Sequence, residues 1–131
     1  MLKQALAKNG LIAILRGLRP QEAQAIGKVL YDAGFRTLEV PLNSPEPYES
    51  ISILRSTLPA DCLVGAGTVL TPAQVELVKA AGGQVIVMPH SDPQVLRAAK
   101  AAGLYLSPGV ATPTEAFAAL AEGADVLKMF P

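Results

Sequence analysis

The sequence predicts an α/β chain of parallel strands, an incomplete (β/α)8 TIM barrel with six strands and five helices after a short N-terminal one. Three observations carry that expectation. Short, nearly continuous apolar runs recur along the chain, as parallel strands covered on both faces require. Each of the first five is followed by a proline placed where a helix would begin, at Pro20, Pro45, Pro72, Pro93 and Pro113, spaced 20 to 27 residues apart. Proline suits the first helical position because the N–H it lacks would have no partner there. Most runs are also preceded by a small-residue break of the kind that ends a helix.

In order, Leu2–Lys8 reads as a short helix and Leu11–Arg16 as the first strand. Arg19-Pro20 is the weakest of the helix starts, while Ser44-Pro45, Thr71-Pro72, Asp92-Pro93 and Thr112-Pro113 each pair an N-cap side chain with the proline. The remaining strands are Thr37–Leu42, Leu63–Val69, Gln84–Pro89, Leu104–Pro108 and Val126–Pro131. Ala33-Gly34, Gly82-Gly83, Ala102-Gly103 and Gly123-Ala124 mark helix ends.

Two architectures use such units. A doubly wound sheet usually carries a glycine-rich nucleotide loop after its first strand, and here that place holds Arg16-Gly17-Leu18-Arg19. A barrel instead distributes functional groups over the C-terminal ends of several strands, and this sequence places polar residues there repeatedly. Typical barrels run to about 200 residues or more. The expectation for residues 1–131 is therefore a single partial barrel domain lacking its last βα units, a fragment of a longer gene product.

Composition narrows the partners. Half the residues are hydrophobic and 17% charged, which is globular rather than disordered. Eleven Lys and Arg balance eleven Asp and Glu, so nothing recommends nucleic acid or an anionic membrane surface. No run of about 18 apolar residues is present to span a bilayer. The single cysteine, Cys62, has no internal partner, and the expected location is the reducing cytoplasm.

The candidate functional residues follow from position and parity. Lys128 interrupts the apolar run Val126–Pro131. Burial disfavours the charged form of an amine, and a neutral amine attacks carbonyls, as Schiff-base chemistry requires. The alternative is a lysine that reaches solvent or pairs with a carboxylate. Strand alternation puts Thr37, Glu39 and Pro41 on one face, opposite Leu38, Val40 and Leu42. If the apolar face meets the helices, Glu39 points inward, and the same parity turns Lys128 inward. They form either a buried ion pair, a weak source of stability, or an active site with Arg16 beside them. Arg16 shares a face with Ile12 and Ile14, and hydrophobicity alone leaves its direction open. Gly65-Ala66-Gly67-Thr68 either lets a ligand approach the backbone, with Thr68 offering a hydroxyl, or permits tight packing. Leu70 replaces the last glycine of a dinucleotide fingerprint. His90 has no Cys or His companion, so no metal cluster is expected and it reads as a loop residue.

Together, the segments Leu11–Gly17, Leu38–Pro45, Gly65–Leu70 and Leu127–Pro131 resemble the KDPG/KHG aldolase family, in order and over essentially the whole chain. That resemblance implies a class I aldolase needing no metal or cofactor, on a barrel that is commonly a homotrimer. It implies that Lys128 is the Schiff-base lysine and Glu39 the general acid/base. Arg16 and Thr68 match substrate contacts, and Pro89 and Phe130 match residues lining the pocket. The implied partner is a phosphorylated keto-deoxy sugar acid, cleaved to pyruvate and glyceraldehyde 3-phosphate. Asn43, where gluconate-type members typically carry arginine, resembles the branch acting on the galactonate epimer. The gluconate epimer and 4-hydroxy-2-oxoglutarate are the alternatives, as is an inactive fragment. The family's phosphate site lies on loops after the seventh and eighth strands, beyond this sequence.

Overall fold

The computed structural model describes residues 1–131. Its elements are α1 (Leu2–Lys8), β1 (Ala13–Ile14), α2 (Pro20–Asp32), β2 (Thr37–Pro41), α3 (Pro47–Thr57), β3 (Leu63–Gly67), α4 (Pro72–Ala80), β4 (Val85–Val87), α5 (Pro93–Ala101), β5 (Tyr105–Ser107), β6 (Gly109–Val110), α6 (Pro113–Ala121) and β7 (Lys128–Met129). Strands β1 to β5 lie side by side in chain order, all parallel, and β6 pairs in parallel with β7. A doubly wound sheet reverses its strand order at a switch point. This one never does, so the winding is that of a barrel.

Local chemistry sets the helix ends. At α4, α5 and α6 the Thr71, Asp92 and Thr112 side chains accept hydrogen bonds from the backbone N–H groups of Gln74, Gln94 and Glu115 respectively. Proline occupies the start of each. Four helices end on a glycine with φ between 74° and 104° (Gly34, Gly82, Gly103 and Gly123), a left-handed turn that a Cβ would strain. At each, the glycine N–H and the next residue's N–H reach back to helix carbonyls, as from Gly34 to Tyr31 and Phe35 to Leu30, both at 3.0 Å.

Two expectations need correction. Helix α3 begins at Pro47, capped by Glu46 in a left-handed conformation, and not at Ser44-Pro45. The Ser44 hydroxyl is used elsewhere, accepting the Gly17 N–H at 3.0 Å and tying the end of β1 to the end of β2. The expected strand Leu104–Pro108 holds β5, and a further segment that was not expected, β6, follows it at Gly109–Val110. Pro108 has no N–H to give a ladder, and beyond it β6 pairs with β7, making seven strand segments where six were expected.

The main core lies between the strands and the helices. Leu38, Val40, Val64, Ala66, Ile86 and Leu106 pack there with Ile51 and Leu54 of α3 and Val75, Val95 and Leu96 beyond. Each such large side chain contributes about 1.5–3 kcal/mol by leaving water. A smaller cluster fills the opposite face, where Leu2 and Ala5 of α1 cover Leu63, Val85 and Val87. Helix α1 thus covers part of the inward face.

Candidate active site

Register places the inward residues in rows, with Ile14 beside Glu39, Glu39 beside Gly65 and Gly65 beside Val85. Further toward the C-terminal ends come Val87 beside Ser107 and Gly109 beside Lys128. On this face lies a cavity of about 310 Å³ whose walls include Ile12, Ile14, Glu39, Val87, Ser107 and Lys128. Ile12 and Ile14 on that wall, with Ala13 in the opposite core, settle the facing of β1.

Glu39 is only 2% exposed. Its Oε2 atom is buried with no hydrogen-bond partner. Burial pushes its carboxyl up from the ordinary 4.5 to about 7, with the charges of Lys128 and Arg16 pulling the other way. No ion pair of the chain includes Glu39 or Lys128, so they share a cavity wall without neutralising each other. The Lys128 ammonium instead sits 4.6 Å from the centroid of the Phe130 ring, a cation–π contact. Arg16, exposed at the rim, donates from Nη1 to Asn43 Oδ1 at 2.6 Å.

The other expected residues stand around the rim. Thr68 follows β3 with φ at 55°, a strained conformation for a β-branched residue. Pro89, half-buried, follows β4, and Phe130 is 42% exposed after β7. Neither Thr68, Pro89 nor Phe130 lines the Glu39–Lys128 cavity. The two glycines of Gly65-Ala66-Gly67-Thr68 have separate reasons. A Cβ on Gly65 would overlap the Val85 carbonyl oxygen, and one on Gly67 would overlap Glu39 Oε2. His90 is exposed, and no group of three or more His, Cys, Asp or Glu side chains is gathered to hold a metal.

Ser107 escaped the sequence reading. It is buried, faces the cavity and offers a hydroxyl one row from Lys128. Its signal was available as a polar residue at the C-terminal end of an apolar strand. A larger depression of about 590 Å³ lies outside the strands, among Arg19, Glu46 and Glu49. It is open surface whose charges are solvated.

Parallel strands in chain order with helices between them follow the course of a (β/α)8 barrel, a fold whose sites lie at the C-terminal ends of the strands. Within that class this chain belongs to the KDPG and KHG aldolase family, whose model matches residues 2–131. It is 53% identical over 121 residues to a probable 2-dehydro-3-deoxy-6-phosphogalactonate aldolase of Rhizobium meliloti (strain 1021), covering 92% of this chain and 57% of that one. The solved native KDPGal structure superposes with a TM-score of 0.91 at 48% identity, over 95% of this chain and 60% of that one. The KDPG aldolase of Legionella pneumophila, with pyruvate captured at low pH as a covalent carbinolamine intermediate, superposes at 0.87 with 31% identity, over 97% and 61%. The chain thus spans about three fifths of the length of these relatives.

Proposed function

We propose that residues 1–131, as one partial barrel domain, carry the covalent machinery of a class I aldolase that cleaves 2-dehydro-3-deoxy-6-phosphogalactonate. The observation that carries this reading is Glu39, a buried carboxyl group with a proton affinity near neutrality on the same wall as Lys128. A group that titrates near the working pH is the most effective proton carrier.

In this mechanism the free amine of Lys128 attacks the C2 ketone of the substrate. Glu39 delivers and removes the protons that turn the carbinolamine into an iminium ion and release water. The Glu39 carboxylate then takes the C4 hydroxyl proton. The C3–C4 bond breaks, its electron pair flowing through C3 to the iminium nitrogen. Glyceraldehyde 3-phosphate departs and an enamine of pyruvate remains on the lysine. Protonation at C3 and addition of water release pyruvate and restore the amine. General acid–base catalysis of this kind contributes about 10²–10⁴-fold. Arg16 pairs with the substrate carboxylate through its planar fork, and Ser107 supplies a hydroxyl to the bound ketone region. Thr68, Pro89 and Phe130 form the outer rim of the substrate site.

Support comes from the covalent carbinolamine that the related Legionella enzyme forms with pyruvate. The galactonate preference is favoured by the Rhizobium relative's identity and by Asn43 in place of the gluconate-type arginine. The whole protein on this reading is a cytoplasmic homotrimer, and no cofactor enters any step.

Borohydride trapping with pyruvate, followed by peptide mass spectrometry, tests the assignment. A reduced pyruvyl adduct is expected on Lys128 and is expected to vanish in Lys128→Ala. A chain that is folded by circular dichroism and takes no adduct refutes it.

A further inference from the structure

The Glu39 side chain lies across the neighbouring strand, directly over Gly67. The three heavy atoms nearest to an added Cβ at Gly67 are all of the Glu39 carboxyl group, with Oε2 overlapping it outright and Oε1 at 2.7 Å. The space where any other residue would carry its first side-chain carbon is filled by that group. Nothing polar holds it there, since Oε2 has no hydrogen-bond partner and no ion pair includes Glu39. The φ of Gly67 is not in the left-handed region, so the backbone makes no demand for glycine. The demand is for volume.

We propose that Gly67 is a positioning residue for Glu39: by having no side chain it provides the slot that seats the carboxyl group against β3, away from water. A methyl group at this position expels the carboxyl group toward the open cavity, where water, Lys128 and Arg16 stabilise its charge. Gly65, two residues earlier, does not share this role, because its close neighbours are atoms of Val85. The catalytic meaning of the slot rests on the reading of Glu39 as the proton carrier. The slot itself does not.

The test is a double-mutant cycle on this chain with two readouts. In Gly67→Ala, the Glu39 carboxyl titration followed by carbon NMR is expected to fall by about one unit or more from its value near 7, toward 4.5. Urea unfolding is expected to show Gly67→Ala destabilised in the parent but tolerated in Glu39→Ala, where the atoms it would strike are gone. If Gly67→Ala does not fold, recovery of a folded chain in Gly67→Ala/Glu39→Ala supports the slot. An unmoved Glu39 titration in folded Gly67→Ala, or equal damage with and without the Glu39 side chain, overturns it. Pyruvate trapping on the unmutated chain separates the two claims. If it fails while the NMR shift is seen, the aldolase reading falls and the slot stands.

Discussion

Replacing Glu39 with glutamine should change how stability depends on pH. Glu39 titrates near 7 in the folded chain against an ordinary 4.5. At about 1.36 kcal/mol per unit, that difference corresponds to about 3 kcal/mol. The native state binds the extra proton between those values, so folding is favoured by protonation. That contribution is fully present below about pH 4.5 and is lost as pH rises through about 7. The glutamine side chain has no proton to lose in this window. The stability difference between Glu39→Gln and the parent should therefore shift in the variant's favour by about 3 kcal/mol from pH 4.5 to pH 8. The amide brings a buried donor without a partner, which costs about 1–3 kcal/mol, but that cost is the same at both pH values. Every other titrating group is common to both chains and cancels. Urea unfolding at the two pH values reads the effect as a change of about 1–2 M in the difference between midpoints. Parallel pH dependences for the two chains would refute the claim that burial governs this carboxyl group.

Asn43→Ala should weaken pyruvate capture. Arg16 would lose its 2.6 Å acceptor, and at this exposed rim about 1 kcal/mol, or about fivefold in the half-saturating pyruvate concentration for trapping, is expected. An unchanged concentration dependence would mean that Asn43 does not orient Arg16. Leu54→Ala, at a fully buried position of α3 packed in the main core, should cost about 2–5 kcal/mol in urea unfolding. A loss below about 1 kcal/mol would show that the helix layer is not closely packed on the strands.

Much of the fold was legible because its signals are local. A proline at the first helical position, a Thr or Asp before it and a glycine after the last turn each act within a few residues through φ preference or one hydrogen bond. They placed α4, α5 and α6 with little error, and strand parity turned Glu39 and Lys128 to the same side. Where local signals competed, the reading slipped. Ser44-Pro45 has the form of a helix start, but Ser44 bonds to Gly17, 27 residues away, and the helix waits for Pro47. Pro108 looked like the end of a strand, yet the chain runs on into β6, because β7 offers it a partner from the far side of α6.

Sequence alone therefore determined the alternation of elements, the inward faces and the residue types available at the strand ends. Tertiary structure decided the rest. The side of β1 on which Arg16 emerges, the entry of Ser107 into the cavity and the absence of an ion pair between Glu39 and Lys128 depend on register between strands far apart in the chain. The proton affinity of Glu39 depends on how much water that packing removes, and the slot at Gly67 exists only once β2 and β3 lie side by side. Short-range dihedral and capping preferences are written residue by residue, whereas desolvation and close approach are sums over neighbours that only folding brings together.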